Sequence, residues 1–224
     1  MDNLNYVFYH IPKTGGTSIF NITQSWKFHK RADRKHNHVR IIKVTPDESE
    51  GPVIAYAVTR CPYSRFASAF YHIVDSCNEN FYYKNAKVSD CDWLQNKGID
   101  KKLYVFNNDP NVFLHYLIDK KSEFHNLARV IYYHFDIFKS QFYWVGDPKT
   151  MKIHHSIKFL LDQKNLEDEF EIYVAKPLNE KAEWPRDKSS NKRITQDFIP
   201  LTYYSKLSIQ KLYPYDFETF GNQR

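Results

Sequence analysis

Short apolar runs alternate with amphipathic stretches in the first part of the chain. Residues 5–11 (NYVFYHI) are rich in aromatic and β-branched side chains, which favours a buried strand. Behind them Ile19, Ile22 and Trp26 recur at the spacing of one helix face. Residues 53–58 (VIAYAV) are apolar throughout, as expected of a central parallel strand. The pattern predicts a strand, a turn and a helix in direct succession, with a second buried strand further on.

The rest of the pattern predicts further strands and helices. Strands are predicted over residues 39–44, 129–135 and 170–175. Helices are predicted over residues 62–74, 111–118, 152–163 and about 201–212. An irregular insertion is predicted over residues 75–110, and a polar loop over residues 184–193. The alternation indicates an α/β fold in which a central, mainly parallel sheet is flanked by helices.

Length and composition narrow the class of protein. A chain of 224 residues suits one domain with insertions, residues 1–224, better than two. No apolar stretch approaches the roughly 18 residues of a membrane span, and no signal peptide is recognised, so we expect a soluble, cytoplasmic protein. The three cysteines follow no metal-site or disulfide spacing and are expected to be reduced, although a Cys77–Cys91 bridge stays open.

The charge balance indicates anionic ligands. The net charge is +6, which favours anions without requiring a nucleic acid, and no nucleic-acid-binding signature is recognised. Residues 27–40 hold six Lys or Arg and three His against one Asp. This run is either a solvated loop or a surface that holds an anionic acceptor. On the second interpretation its substrate-binding residues are Arg31, Arg34, Lys35 and Arg40.

A candidate anion-binding loop lies between the first strand and the first helix. Glycine is scarce, with six residues in the chain, yet Gly15 and Gly16 are adjacent. Glycines allow a turn that aims N–H groups at an anion, and the following helix adds the positive end of its dipole. A lysine and three hydroxyls complete the set. The predicted ligand-binding residues are Lys13, Thr14, Gly15, Gly16, Thr17 and Ser18.

The order of residues in this loop separates it from the common nucleotide loops. In GxxxxGK[ST] the lysine follows the second glycine, whereas Lys13 precedes both glycines here. The chain also lacks GxGxxG, which argues against a dinucleotide cofactor. A tight turn without ligand remains the alternative for residues 12–18.

A second candidate element follows the strand at 53–58. Arg60 leaves the carboxyl end of that strand, where open α/β sheets bind ligands. Pro62 begins a helix, and Ser68 lies about two turns along it. Arg60 and Ser68 are therefore predicted to hold one phosphate.

These two elements carry a resemblance to a known family. HIPKTGGTS (10–18) is similar to the 5′-phosphosulfate loop, and RxPxxRxxS (60–68) to the 3′-phosphate motif, of sulfotransferases that use 3′-phosphoadenosine 5′-phosphosulfate (PAPS). The chain most resembles carbohydrate sulfotransferases of the hexuronyl 2-O-sulfotransferase-like branch. The resemblance implies a P-loop-like sulfotransferase fold, PAPS as donor with PAP as product, and a glycan acceptor. No metal is expected, because no Cys or carboxylate lies at ligand spacing from His154 and His155. Cys61 departs from the family, in which an acidic residue is common at this position.

The resemblance also implies catalytic roles. Lys13 would stabilise charge on the leaving phosphate during in-line transfer to the acceptor hydroxyl. His36 and His38 match a His-x-His of the family, and we favour His38 as the base because it is nearer the strand predicted over residues 39–44. His10, beside the loop, is more typical of a structural residue. A non-catalytic polyanion-binding module and an atypical nucleotide kinase remain as alternatives.

Overall fold

The computed structural model describes residues 5–32, 40–41, 52–76, 89–184 and 199–220. Its main sheet has four parallel strands in the order β2-β1-β3-β6. These strands are β1 (Asn5–Tyr9), β2 (His29–Arg31), β3 (Val53–Thr59) and β6 (Ile157–Asp162), and a separate antiparallel pair is formed by β4 (Gly146–Asp147) and β5 (Lys152–Ile153). The mainly parallel sheet with its helices confirms the predicted α/β class.

Nine α-helices lie in the described part of the chain. They are α1 (Gly16–Thr23), α2 (Pro62–Ser76), α3 (Ser89–Asn96), α4 (Pro110–Ile118), α5 (His125–His134), α6 (Gln141–Val145), α7 (Leu166–Phe170), α8 (Tyr203–Leu212) and α9 (Pro214–Phe220). Shorter 3-10 segments cover Asp100–Phe106, Asp136–Phe138, Gln163–Asn165 and Lys176–Leu178, and a π-helical turn covers Glu171–Ala175. No helix in these described ranges is long and apolar enough to cross a membrane.

The chain divides into two compact units. Unit 1 comprises residues 1–61, 140–197 and 215–224 and contains the parallel sheet. Unit 2 comprises residues 62–139 and 198–214 and is helical where the structure describes it. That residues 1–224 form a single domain stays a prediction.

The core of unit 1 follows from the two-residue period of its strands. Side chains of alternate parity point to opposite faces of a sheet. Tyr6 and Phe8 of β1 pack on one face with α1 and α7, whereas Tyr9 packs on the other with α6 and α9. β3 divides in the same way, with Tyr56 on the first face and Ala57 on the second. Both faces of the sheet are therefore buried, which explains the continuous apolar run of β3.

The core of unit 2 is mainly aromatic. The ring centroid of Phe66 lies 5.5 Å from that of Phe138 and 6.2 Å from that of Phe113. Arg65 is almost completely buried beside them, and its guanidinium donates to the carbonyl oxygen of Ile137 at 3.0 Å. The aromatic content of the sequence is thus used for packing in this unit.

Two predicted strands are helical in the structure. Residues 129–135 belong mostly to α5, where Ala128 and Ile131 are buried three residues apart while Tyr133 is exposed. Residues 170–175 form the end of α7 and the π-helical turn that follows it. Both predictions were wrong because β-branched and aromatic content is a weak preference that packing overrides.

The predicted helix over residues 152–163 was also wrong. This segment forms β5 and β6, and Leu161 of β6 is buried next to β3. β6 is the last strand of the sheet, and its side chains are only partly covered, so its pattern resembled an amphipathic helix. The preference of a segment for a strand depends on the neighbours against which it packs, so its own periodicity was a weak guide here.

Other predictions have mixed outcomes. The central strand at 53–58 and the helices at 62–74, 111–118 and 201–212 are confirmed to within two residues at each end. β2 lies inside the basic run that one interpretation placed in a solvated loop. The predicted irregular insertion contains α3 and the 3-10 helix Asp100–Phe106. Arg40 and Ile41 are not in a strand, and the rest of 39–44, Cys77 and most of 184–193 lie outside the described residues.

Candidate active site

The loop of residues 12–18 and Arg60, the first residue of the second motif, lie at the carboxyl ends of two neighbouring strands. β1 continues into α1 and then to β2 on one side of it, whereas β3 pairs with β1 on the other side. This reversal is a topological switch point, the place where open α/β sheets bind ligands. The segment after β1 is the glycine loop, and the residue after β3 is Arg60.

The glycine loop turns sharply through two left-handed backbone positions. Lys13 has φ 68° and Gly15 has φ 98°. Gly15 is the N-cap of α1, and no side chain caps this helix. The first N–H groups of an α-helix have no partner within the helix, so this end of α1 presents donors together with the positive end of the dipole. Such an end favours an anion.

Gly16 is required by a close approach of His10. A Cβ atom built on Gly16 would lie 2.1 Å from Cδ2 and 2.2 Å from Nε2 of the His10 ring. The ring stacks on Phe8 with a centroid distance of 5.8 Å, and its Nδ1 lies 3.4 Å from a guanidinium nitrogen of Arg31. Any side chain larger than hydrogen at Gly16 would displace the ring or the start of α1. His10 therefore packs against the loop, and its structural role stays a prediction.

Hydroxyls of the loop differ in their environments. Thr14 is fully buried, and its hydroxyl donates to the carbonyl oxygen of Ile11 at 2.8 Å. Thr17 is exposed, and Ser18 is partly exposed. The hydroxyl of Thr14 thus closes the turn from inside, while Thr17 and Ser18 lie on its outer side. Ligand contacts by all three residues stay predictions.

Arg60 connects the second motif to the first. One guanidinium nitrogen of Arg60 donates to the carbonyl oxygen of Lys13 at 3.2 Å. The contact places a guanidinium and the lysine of the loop at the same edge of the sheet. Ser68, the other predicted phosphate ligand, lies on α2 in unit 2 with a partly exposed side chain. Its role stays a prediction.

Two buried polar residues that the sequence patterns did not single out hold this edge together. The side chain of Gln141 pairs with both backbone groups of Arg60, and the carboxylate of Asp216 accepts from the first two N–H groups of α6. Both residues are completely buried. No local signal marks Gln141, because its partner is 81 positions away.

The basic run has only some of its members in the described residues. The Arg31 guanidinium lies 4.9 Å from the centroid of the Phe20 ring on α1. Arg40 donates from Nε to the carbonyl oxygen of Tyr143 at 2.9 Å and lies over that ring. Arg31 therefore lies close to His10, which packs against the loop, whereas Arg40 contacts α6. The other predicted members, Arg34, Lys35, His36 and His38, lie outside the described residues.

One histidine of the run is structural. His29 is buried, and its Nε2 lies 2.7 Å from the hydroxyl of Tyr56. Burial, with a smaller contribution from Arg31, lowers the pKa of His29 to about 4. Burial also raises the pKa of Tyr56 well above its usual value. The pair is neutral near pH 7, so His29 adds no charge to the anion-binding edge.

The whole edge is suited to hold an anion of several charges. The uncapped start of α1 provides oriented N–H groups, and the loop before it contains Lys13, whose carbonyl oxygen accepts from the guanidinium of Arg60. Among the residues that the structure describes, no group of three His, Cys, Asp or Glu side chains is placed to hold a metal ion.

A model of the sulfotransferase family matches residues 2–222, nearly the whole chain. The chain belongs to the sulfotransferase family. No curated protein and no solved structure matches it. Family membership makes it a sulfotransferase enzyme, which transfers a sulfuryl group to a hydroxyl-containing acceptor. It also explains why its loop differs from those of nucleotide kinases.

Proposed function

We propose that this sulfotransferase uses PAPS as donor and a carbohydrate hydroxyl as acceptor. The proposal is carried by the contact between Arg60 and Lys13, because it joins the loop suited to the 5′-phosphosulfate to the residue suited to the 3′-phosphate. PAPS carries anionic groups at both ends of its ribose. An edge with separate cations on two neighbouring loops matches that charge distribution.

The residues of the loop fit a phosphosulfate. Gly16 lets the backbone of the loop pass close to the His10 ring, and α1 begins without a side-chain cap. Backbone N–H groups at such a helix start bind phosphate or sulfate oxygens directly. Lys13 would then contact the oxygen that joins the sulfate to the 5′-phosphate. When bound, the donor supplies the sulfuryl group, and the protein supplies position and charge.

The transfer assigns a task to each group. The acceptor hydroxyl loses its proton to a base as its oxygen forms a bond to sulfur, and the bond between sulfur and the phosphate oxygen breaks. The electron pair of that bond stays on the phosphate oxygen, so the 5′-phosphate of PAP carries one more negative charge than it did in PAPS. Lys13 stabilises this charge as it develops. His38, or His36 beside it, accepts the proton, since the usual pKa of histidine is near neutrality.

An anionic sugar is the acceptor class that the basic run favours. Arg31 lies close to His10, which packs against the loop. Arg34, Lys35 and Arg40 belong to the same basic run. Guanidinium groups bind carboxylates and sulfates through two parallel hydrogen bonds. A uronic acid unit or a previously sulfated sugar would supply those partners.

The decisive experiment is calorimetric titration with PAP, adenosine 5′-phosphate and ATP. We expect PAP to bind more tightly than the other two, because only PAP carries a 3′-phosphate. Arg60→Ala should remove the preference for PAP over adenosine 5′-phosphate, and Lys149→Ala, at an exposed turn, should leave it unchanged. Absence of PAP binding to the folded protein would refute the donor assignment and leave a polyanion-binding module. Preference for ATP with Mg²⁺ would favour a kinase.

The acceptor is tested separately by PAP release. Desulfated uronic-acid polysaccharides, neutral oligosaccharides and small phenols would be offered with PAPS. We expect PAP release with the uronic-acid chains, and sulfate on the product located by mass spectrometry. Release only with phenols would refute a carbohydrate acceptor while leaving the donor assignment intact.

A further inference from the structure

The backbone of Arg60 is held on both sides by a single side chain. Gln141 accepts the N–H of Arg60 through Oε1 at 2.8 Å and donates from Nε2 to the carbonyl oxygen of Arg60 at 2.8 Å. β3 ends at Thr59, so Arg60 is the first residue beyond its ladder. The carboxamide therefore takes the place that a neighbouring strand would take.

Gln141 is itself fixed by the last helix. The carboxylate of Asp216 accepts the N–H of Gln141 at 2.8 Å and that of Phe142 at 2.8 Å. The next N–H, that of Tyr143, donates to the hydroxyl oxygen of Ser140 at 3.0 Å. Since the first N–H groups of a helix need partners outside it, these three bonds anchor the start of α6. Asp216 is fully buried on α9, so its carboxylate has little freedom to move.

We propose that Gln141 and Asp216 are positioning residues that set the direction of the Arg60 side chain. Four hydrogen bonds of 2.8 Å connect α9 to α6 and α6 to Arg60, and Arg60 then contacts Lys13. The inference rests on the proposed function, in which Arg60 binds the 3′-phosphate of PAP. Fixing the backbone at Arg60 limits where its guanidinium reaches, which preserves affinity by reducing the cost of ordering.

The chemistry of this position requires a carboxamide. A carboxamide has an acceptor and a donor at one end, as the N–H and C=O of Arg60 need. Gln141→Glu keeps the acceptor but places an oxygen against the carbonyl oxygen of Arg60. Gln141→Met has a similar length without charge and removes both bonds. If both variants weaken PAP binding, the cause is therefore the lost hydrogen bond to the carbonyl oxygen of Arg60 rather than an added charge.

The experiment measures PAP affinity by calorimetry and KM for PAPS against kcat in the full chain. We expect Gln141→Met to raise the Kd for PAP about tenfold, the loss expected when a charged hydrogen bond is weakened. KM for PAPS should rise by a larger factor than kcat falls, since the substitution acts first on Arg60, which binds the donor in the proposed function. Gln141→Glu retains one of the two hydrogen bonds to Arg60. It is measured in place of Gln141→Met if that variant does not fold.

Ser140→Ala is the matched control, because it removes a cap from the same helix without touching the carboxamide. It should lower the melting temperature and leave the Kd for PAP unchanged. In an Arg60→Ala background the Gln141 substitutions should not change the Kd for PAP further. The effects of substitutions at contacting residues that act together are not additive.

Three results would overturn the proposal while leaving the proposed function intact. One is wild-type affinity for PAP in folded Gln141 variants, and another is a loss of PAP affinity that persists in the Arg60→Ala background. The third is a loss of PAP affinity in Ser140→Ala as large as that in Gln141→Met, which would indicate a purely structural role. If the wild-type protein itself does not bind PAP, the proposed function fails, and the positioning role fails with it.

Discussion

The guanidinium of Arg60 donates to the carbonyl oxygen of Lys13 across 3.2 Å, from the end of β3 to the loop after β1. The two residues are 47 positions apart in the chain. Each follows one of two adjacent parallel strands, so the sheet brings them to one edge. The contact joins Arg60 to the glycine loop and motivates the predictions that follow.

Lys13→Ala should reduce turnover much more than binding. The ammonium of Lys13 is assigned to charge that develops on the leaving phosphate, so its loss should lower kcat by about 10²-fold or more. The Kd for PAP should rise much less, because Arg60 and the start of α1 remain. Single-turnover kinetics with PAPS and calorimetry with PAP measure the two effects. Equal losses in kcat and affinity would assign Lys13 to binding alone, and Lys149→Ala controls for the lost charge.

Gly16→Ala should destabilise the protein although alanine is the better helix former. Alanine in place of glycine inside a helix ordinarily stabilises by about 1 kcal/mol. Here the new Cβ would lie 2.1 Å from the His10 ring, and overpacking of this kind costs about 1–3 kcal/mol. Urea unfolding measures the change in free energy. The destabilisation should shrink in a His10→Ala background, and an unchanged value there would show that the ring is not its cause.

Thr14→Val should lower stability, with a matched control in Thr14→Ser. The buried hydroxyl of Thr14 donates to the carbonyl oxygen of Ile11, and its removal leaves that acceptor unpaired. A loss of about 1–2 kcal/mol in the free energy of unfolding is expected, with a smaller loss for Thr14→Ser. The affinity for PAP should depend only weakly on the stability of the loop. A large loss of PAP affinity with unchanged stability would show instead that the hydroxyl contacts the ligand.

Acid should destabilise the protein through His29. Burial lowers the pKa of this residue from 6.5 to about 4 in the folded state. Between these values the unfolded chain binds a proton at His29 that the folded protein does not, so stability is complete above pH 6.5 and falls as pH drops towards 4. The total loss is on the order of 3 kcal/mol.

Urea unfolding at several pH values, compared with His29→Gln, isolates this contribution. The variant should have a shallower dependence on pH between about 4 and 6.5. His154, whose pKa is also lowered by burial and by His155, should account for part of the slope that remains. Parallel curves for the wild type and the variant would contradict the assignment to His29.

The order of residues along the chain was sufficient to predict the α/β class and both motifs. A strand, two adjacent glycines and a helix start are local features, and so is an arginine after an apolar run. Local conformational preferences act over a few residues, so the sequence pattern alone can predict them. They led to the central strand β3 and to α1 and α2, whereas the sulfotransferase family was indicated by the resemblance of two motifs, residues 10–18 and 60–68.

Tertiary structure decided the rest, since it depends on partners far away in the chain. The segments at 129–135, 152–163 and 170–175 have short apolar runs whose periodicity fits either a strand or a helix, and neighbouring elements determined the outcome. The same holds for the pairing of Gln141 with Arg60, which only the folded chain brings together. The sequence by itself determined which chemistry the protein carries. The tertiary structure determined which residues support the two motifs, because the hydrogen bonds of Gln141 to Arg60 join segments 81 positions apart in the chain.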